Sequence, residues 1–462
     1  MQVFRYSGPE FSPYGDDERV ATTDPGPWRA PVASAPLKAT LALPGSKSLT
    51  NRELVLSALA DGPSLLRAPL HSRDTALMVE ALRSLGVGIR EVPTDSVFGP
   101  DWEITPAPLE GGTSIDCGLA GTVMRFLPPV ASLALGPVAF DGDASARRRP
   151  MRTTIDSLRA LGVDVTDDGR GALPFSLYGT GEVAGGDLEI DASASSQFVS
   201  GLLLAAPRFT NGLRLRHTGE RLPSVPHIEM TIACLAARGV TVESPEPGVW
   251  VVAPGPIAGA TIDIEPDLSN AAPFLAAAVV AGGSVTITGW PATTTQVGAD
   301  LAHLLPHFGA TVTRDGDALT VTGGSEITGV DLDLSTGGEL APALVALAAL
   351  ATGPSRITGI GHLRGHETDR LAALTAEISG LGGSVTEHED GLDLEPSALH
   401  GGAWRSYEDH RMATAGAIIG LAVPGVEIDD IATTAKTLPQ FPALWAAMLA
   451  EPHATVETIG II

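Results

Sequence analysis

This chain of 462 residues is short of cysteine, of lysine and of long apolar runs. Its two cysteines, Cys117 and Cys234, exclude a disulfide framework and offer no metal-ligand spacing, so a reducing, cytoplasmic setting is expected. No apolar run approaches the ~20 residues that span a bilayer. The N-terminus also lacks the basic-then-apolar order of a secretory signal. Positive charge is scarce. A formal net charge of −25 makes nucleic acid and anionic membranes poor partners. Lysine occurs only at 38, 47 and 436, against 26 arginines, a bias that GC-rich codon usage explains. Even so, Lys47 and Lys436 fall inside unusual polar clusters. What the chain has in quantity is apolar residue, 44% with 18% charged, which suits a soluble globular protein with a large buried core. The length allows two or three domains. Residues 1–35, with YSGPE, SPYGDDE and TDPGPW, read as a flexible extension.

Beyond that extension the chain repeats itself. Six times a polar cluster runs into a small-residue apolar stretch and then a glycine. The cassettes start at residues 44, 117, 193, 266, 337 and 408, roughly 70 to 76 apart. Such a period fixes architecture before any single residue is interpreted. In LVLSALA, FLAAAVVA and LVALAALA the apolar residues go all the way round, which predicts helices buried on every side. Each cassette continues into a second, amphipathic segment. In 72–89 Leu77, Met78, Ala81, Leu82 and Leu85 share one helical face, with Glu80, Arg83 and Ser84 opposite. Five of these segments end in glycine before an alternating, strand-like run.

Each unit therefore reads β-α-β-α-β-β, and the fold class is α/β. Six such units exceed one core, so two lobes of three units are expected. Pro128 and Pro129 predict a kink or an early end to the second buried helix. Buried helices that open on polar residues present free N–H groups and the positive end of a dipole. Three such ends per lobe, facing the other lobe, make a cleft suited to anions.

The clusters that open these helices are distinctive together. PGSKSLTNR (44–52), AGTVMR (120–125), SSQF (195–198), HETDR (366–370), DHRMA (409–413) and KTLPQF (436–441) resemble the motifs of the 5-enolpyruvylshikimate-3-phosphate synthase family. They appear in that family's order and spacing from about residue 36 to 450, with CGLAGT and LRGHETDR closest to its actinobacterial branch. The resemblance implies two lobes, each of three units about a pseudo-threefold axis. One lobe would comprise 36–43 plus 265–462 and the other 44–264, with crossings near Leu43–Pro44 and Ile264–Glu265. It implies transfer of the enolpyruvyl group of phosphoenolpyruvate to the 5-hydroxyl of shikimate 3-phosphate, a step of aromatic amino-acid biosynthesis. The route is addition–elimination through a tetrahedral intermediate, with no cofactor and no metal. The partners implied are these two small molecules, with a monomeric enzyme and, given Gly121, sensitivity to glyphosate.

Carried over by motif position, Lys47 contacts both substrates, and Ser48, Arg52, Ser195, Ser196, Gln197, Ser224, Glu339 and His366 line the shikimate 3-phosphate site. Gly121, Thr122, Arg125, Gln197, Arg370, Arg411 and Lys436 hold phosphoenolpyruvate. The catalytic set is Lys47, Glu339, Glu367 and His410, with Glu339 taking the 5-hydroxyl proton and Glu367 handling the methylene proton. There are departures from the family pattern. Leu119 stands for an asparagine, His227 for a tyrosine, His362 for an asparagine, His366 for a lysine and Glu339 for an aspartate. Ser145 falls where an arginine is expected, and Arg147 is the candidate replacement.

Blander readings exist for each cluster taken alone. SKSLTNR is also a capped helix start with solvated cations, SSQF an ordinary N-cap, and HETDR a surface helix with i,i+3 pairing. Cys117 reads as a small buried hydrophobe. Two functional alternatives compete: enolpyruvyl transfer to UDP-N-acetylglucosamine, which would want SKN at 46–48, and a silent anion-binding scaffold. A P-loop kinase lacks its glycine-rich signature.

Overall fold

The computed structural model describes residues 26–450. Its helices come in pairs. α1 (Lys47–Ala58) is followed by α2 (Arg73–Ser84), α3 (Gly121–Ala131) by α4 (Arg152–Ala160), and α5 (Gln197–Ala205) by α6 (Val225–Ala237). Then come α7 (Leu268–Ala281) with the single turn α8 (Leu301–Leu304), α9 (Ala341–Ala349) with α10 (Arg370–Gly380), and α11 (His410–Gly420) with α12 (Phe441–Leu449). The first helix of each pair is the buried one. Every residue of α9 is out of solvent, as its all-round apolar sequence requires, and every residue of α3 is buried too, Arg125 included. The second helix covers. α2 buries Met78, Val79, Ala81 and Leu82 and exposes Glu80 and Arg83. Gly86, Gly162, Gly239, Gly309 and Gly382, at φ of 81 to 98°, turn these segments into the strands that follow.

Each pair is served by one small sheet, six in all among the described residues. In the first, Ser64–Arg67 pairs in parallel with Thr261–Asp263 and antiparallel with Asp101–Thr105, which pairs on with Gly88–Val92. Four more sheets repeat this order and these senses. The parallel pair demands a crossover, and the buried helix supplies it. Two units borrow their first strand from a distant part of the chain: Thr261–Asp263 serves the α1 unit and Leu37–Leu41 the α7 unit. The chain thus crosses between two cores twice. The crossings touch, with Ser46 N donating to Glu265 O at 2.8 Å and Asp267 N to Pro44 O at 2.9 Å. One core draws on residues between Leu54 and Ile257, the other on Ala30, Leu37, Leu41 and Leu43 plus residues from Leu268 to Met448.

Three expectations need correction. Of the flexible extension at 1–35, residues 1–25 lie outside the described residues, but the rest is held. Trp28–Arg29 pairs antiparallel with Val426–Ile428 and occupies the fourth-strand position of the sixth unit. Ala30 is buried there, against Gly420 of α11. Secondly, α3 is not cut short by Pro128 and Pro129 but runs on to Ala131. Close packing holds it, because Gly201 of α5 sits so near the Arg125 carbonyl that a Cβ there would lie 2.2 Å from the oxygen. Thirdly, the covering segment of the fourth unit is not a regular helix. It is a string of 3-10 turns around α8, with Pro306 denied an i−4 hydrogen bond.

Candidate active site

The N-termini of all six buried helices open on one cleft between the two cores. Lys47 and Ser48 of α1, Gly121 and Thr122 of α3, Gln197 of α5, Ser269 and Asn270 of α7, Glu339 just before α9, and His410 and Arg411 of α11 all line it. Several of these ends are capped by side chains. Asp409 accepts from Arg411 N at 2.9 Å, and Asp267 accepts from Asn270 N at 2.9 Å. Asp267 also accepts from Lys47 N at 3.0 Å, so one buried carboxylate ties the starts of α7 and α1 together across the crossing. The PDLSN sequence of the fourth cassette thus delivers three cleft residues, Asp267, Ser269 and Asn270.

The cleft gathers cations that its carboxylates do not fully match. Arg52, 1% exposed, spends its donors on neutral oxygens: Thr231 Oγ1 at 2.8 Å, Ser48 O at 2.8 Å and His227 O at 2.8 Å. Its guanidinium lies over the Phe126 ring. Burial pulls it down to about 10, which leaves it a cation at neutral pH. Arg125, one turn into α3, and Arg149, beside Gly121 at its start, are close enough to repel each other. Arg125 reaches Pro150 O at 3.2 Å and Arg149 reaches Leu119 O at 3.1 Å, and each keeps a buried Nε without a partner. Burial, reinforced by Arg149, holds Arg125 well below the usual arginine range. Buried donors without acceptors are costly, so these two guanidiniums are held in the fold at an energetic expense. The overall charge of −25 does not oppose an anion in the cleft, because screening limits its reach to ~8 Å at physiological salt.

Besides the buried Asp267, two carboxylates with different partners line the cleft, Glu367 and Glu339. Glu367 accepts from Arg370 Nη2 at 3.0 Å and makes a short contact with Lys436 Nζ. Burial pushes it up, but Lys436, Arg370 and Arg149 together hold it well below the usual carboxylate range. Arg370 in turn grips Asp409 through Nε at 2.7 Å and Nη2 at 3.1 Å. Glu339 sits in the 3-10 turn Gly338–Leu340 and accepts from Ser269 Oγ on one oxygen, while His227 Nε2 lies 2.6 Å from the other. Burial pushes Glu339 up, and the His227 imidazole, the Arg411 guanidinium and the Ser269 hydroxyl push it down by more. His410 is buried with neither ring nitrogen bonded. Burial and the neighbouring Arg411, Lys47 and Lys436 keep it neutral. His366 is likewise pulled down by burial and by Arg370. Ser224 adopts a left-handed φ of 51° at the head of α6, which presents its hydroxyl without a capping bond.

The structure brings together nearly every residue singled out from the sequence. Lys47, Ser48, Arg52, Gly121, Thr122, Arg125, Ser195, Ser196, Gln197, Ser224, Glu339, His366, Glu367, Arg370, His410 and Arg411 all border the cleft. Lys436 stands directly behind Glu367. Arg147 does not belong. One 3-10 turn, Ala146–Arg148, swings it outward to pair with Asp141 at 2.9 and 2.7 Å, half exposed. The extended residue after that turn, Arg149, points back to the cleft instead. Leu119 is buried, and its carbonyl accepts from both Arg149 Nη1 and Lys436 Nζ, so this position holds two cations through its backbone. Sequence reasoning also passed over Asp74, buried 3.5 Å from Lys47 Nζ. Cys117 is fully buried, with burial pushing its thiol up, in keeping with a core residue. Among the described residues no cluster of three or more His, Cys, Asp or Glu is arranged to hold a metal ion, and no helix is long and apolar enough to cross a membrane.

Residues 32–445 match the family described as EPSP synthase (3-phosphoshikimate 1-carboxyvinyltransferase). A 3-phosphoshikimate 1-carboxyvinyltransferase of Kocuria rhizophila is 59% identical over 428 residues, 91% of this chain and 96% of the relative. EPSP synthase from Acinetobacter baumannii superposes with a TM-score of 0.73 at 26% identity, over 89% of this chain and 96% of its own. The enolpyruvyl transferase NikO from Streptomyces tendae reaches 0.71 at 18% identity, over 90% of this chain and 96% of its own, a likeness of fold alone.

Proposed function

The chain belongs to the EPSP synthase family, and from that premise we propose how its cleft works. The protein transfers the enolpyruvyl group of phosphoenolpyruvate to the 5-hydroxyl of shikimate 3-phosphate and releases phosphate. The observation that carries the mechanism is the convergence of six helix starts on six cleft cations, Lys47, Arg52, Arg125, Arg149, Arg370 and Arg411. Two multiply charged anions need such a site to lie side by side.

Shikimate 3-phosphate sits against Ser195, Ser196, Gln197, Ser224 and Arg52, with Lys47 between it and phosphoenolpyruvate. The second anion lies at the start of α3, on Arg125, Arg149, Arg370 and Arg411. Glu367 and Glu339 are poor bases while the cations around them are uncompensated. Bound phosphates and carboxylate neutralise those cations, which lifts both proton affinities toward the working range. A proton then reaches the methylene carbon from the Glu367 side, and the 5-oxygen, losing its proton to Glu339, bonds to the adjacent carbon. The resulting tetrahedral intermediate collapses as its carbon–oxygen bond to phosphate breaks, the methyl group returns its proton to Glu367, and the proton held by Glu339 leaves with the phosphate. Lys47 supports the departing phosphate.

The two cores act as lobes that close on the substrates, with the hinge at Leu43–Pro44 and Ile264–Glu265. The enzyme is a cytoplasmic monomer. The test is to supply phosphoenolpyruvate with either shikimate 3-phosphate or UDP-N-acetylglucosamine and follow released phosphate. Turnover with the first acceptor alone is expected. Turnover only with the sugar nucleotide reassigns the protein, and none with either makes it a silent scaffold.

A further inference from the structure

Glu339 and His227 come from opposite cores. Glu339 rides on the turn before α9, and His227 lies in the first turn of α6. Nε2 and Oε2 stand 2.6 Å apart across the cleft. Ser269 Oγ donates to the other oxygen from α7. A carboxylate accepts at about four lone-pair positions, so two donors fix the group and still leave each oxygen one free site for a substrate hydroxyl. His227 is itself firmly placed. Its carbonyl accepts from Arg52 Nη2 at 2.8 Å and Thr231 Oγ1 at 3.0 Å, which pins the first turn of the helix. Among the described residues its other ring nitrogen bonds no protein group. The imidazole therefore has one protein contact to make, and that contact is Glu339.

We propose that His227 is a positioning residue for Glu339: it donates Nε2–H to Oε2 and so aims the free lone pairs of the carboxylate at the 5-hydroxyl. A glutamate has three side-chain torsions, and without this donor its carboxylate pivots about the single bond from Ser269. Because the donor sits on the opposite core, the base is aimed only when the two cores meet. Proton abstraction is thereby tied to closure. The role rests on Glu339 being the group that takes the hydroxyl proton.

Kinetics of His227→Ala, His227→Gln, Glu339→Gln and the double variant His227→Ala/Glu339→Gln test this, with thermal melts to confirm folding. His227→Ala is expected to lower kcat about ten- to a hundredfold while both KM values stay within about threefold, since a misaimed base costs rate rather than binding. Glutamine places an amide donor where Nε2 stands, so His227→Gln should recover most of the loss. In the Glu339→Gln background, His227→Ala should cause no further fall, because residues acting as a unit are not additive. The proposal is overturned if His227→Ala keeps kcat within about twofold of the parent, if the glutamine variant is as slow as the alanine one, or if the loss is the same in both backgrounds. Should Glu339→Gln itself turn over at the parental rate, the role of Glu339 fails and this one with it.

Discussion

Arg149 and Arg147 are two positions apart and have opposite fates. Arg149 is buried at the start of α3 with an unpartnered Nε, while Arg147 is half exposed on Asp141. Arg149→Ala should raise the KM for phosphoenolpyruvate at least about tenfold. Arg147→Ala should change kcat/KM by less than about twofold, since an exposed ion pair is worth little. Steady-state kinetics of the pair decide it. Gly121 gives a second residue-scale case. A Cβ there would lie 2.9 Å from Gln197 Oε1 and 3.1 Å from Arg149 Nη2. Gly121→Ala should therefore displace the anion-holding groups and raise the same KM about tenfold, with kcat nearly unchanged. Equal KM values for variant and parent would show that the neighbours give way freely. Most cleft residues were legible in the sequence because each opens an apolar run. Arg149 was not, because three consecutive arginines cross a single 3-10 turn, and linear order does not say which of them faces inward. Asp74 was hidden for another reason, since it meets Lys47 only across a helix pair, and His227, although marked as standing for a tyrosine, gave no sign of its partner Glu339, 112 positions away.

At the scale of elements, buried helices with polar starts do two jobs, filling the core and delivering dipole ends to the cleft. The covering elements are less regular and depend on turn chemistry. After α4, Asp167 accepts from Arg159 Nη2 at 2.7 Å, Gly171 N at 2.7 Å and Gly169 N at 3.1 Å, which closes the loop between two strands. The Arg159 hydrogen bond foremost, then the Gly171 amide, holds this carboxyl down to about 2. An unfolded aspartate titrates near 3.9. The folded value is depressed, so the contribution to stability is complete above the unfolded pKa and is lost as pH falls from about 4 through 2. Asp167→Asn should destabilise by about 1–2 kcal/mol at pH 7, and the gap between variant and parent should shrink below pH 4. Thermal melts across that range check it, and a gap independent of pH would mean the charge is irrelevant. The element pattern was readable from periodicity and glycine C-caps. The continuity of α3 was not, because the packing of Gly201 against it is tertiary and outweighs two prolines that local rules count as breakers.

For the whole molecule, six units of one pattern were visible in the sequence, and so was their division between two cores. The strand Trp28–Arg29 was not. Two residues carry no periodicity, and their partners near Val426 lie at the far end of the chain. The cores touch across the cleft through His227 with Glu339 and through Lys436 with the Leu119 carbonyl. If the lobes close on the substrates as proposed, these contacts tighten when both anions are bound. Small-angle scattering should show a smaller radius of gyration with both substrates, or with shikimate 3-phosphate and glyphosate, than without ligand. An unchanged radius would mean that the lobes do not move.

As proposed, this cleft breaks the bond between carbon and oxygen in phosphoenolpyruvate and joins that carbon to shikimate 3-phosphate. Phosphoenolpyruvate labelled with oxygen-18 at the bridging position tests it in one reaction. With shikimate 3-phosphate present, the released phosphate should carry the label, and the acceptor should gain the enolpyruvyl group by mass spectrometry. Unlabelled phosphate appearing with free pyruvate, and an acceptor of unchanged mass, would contradict it.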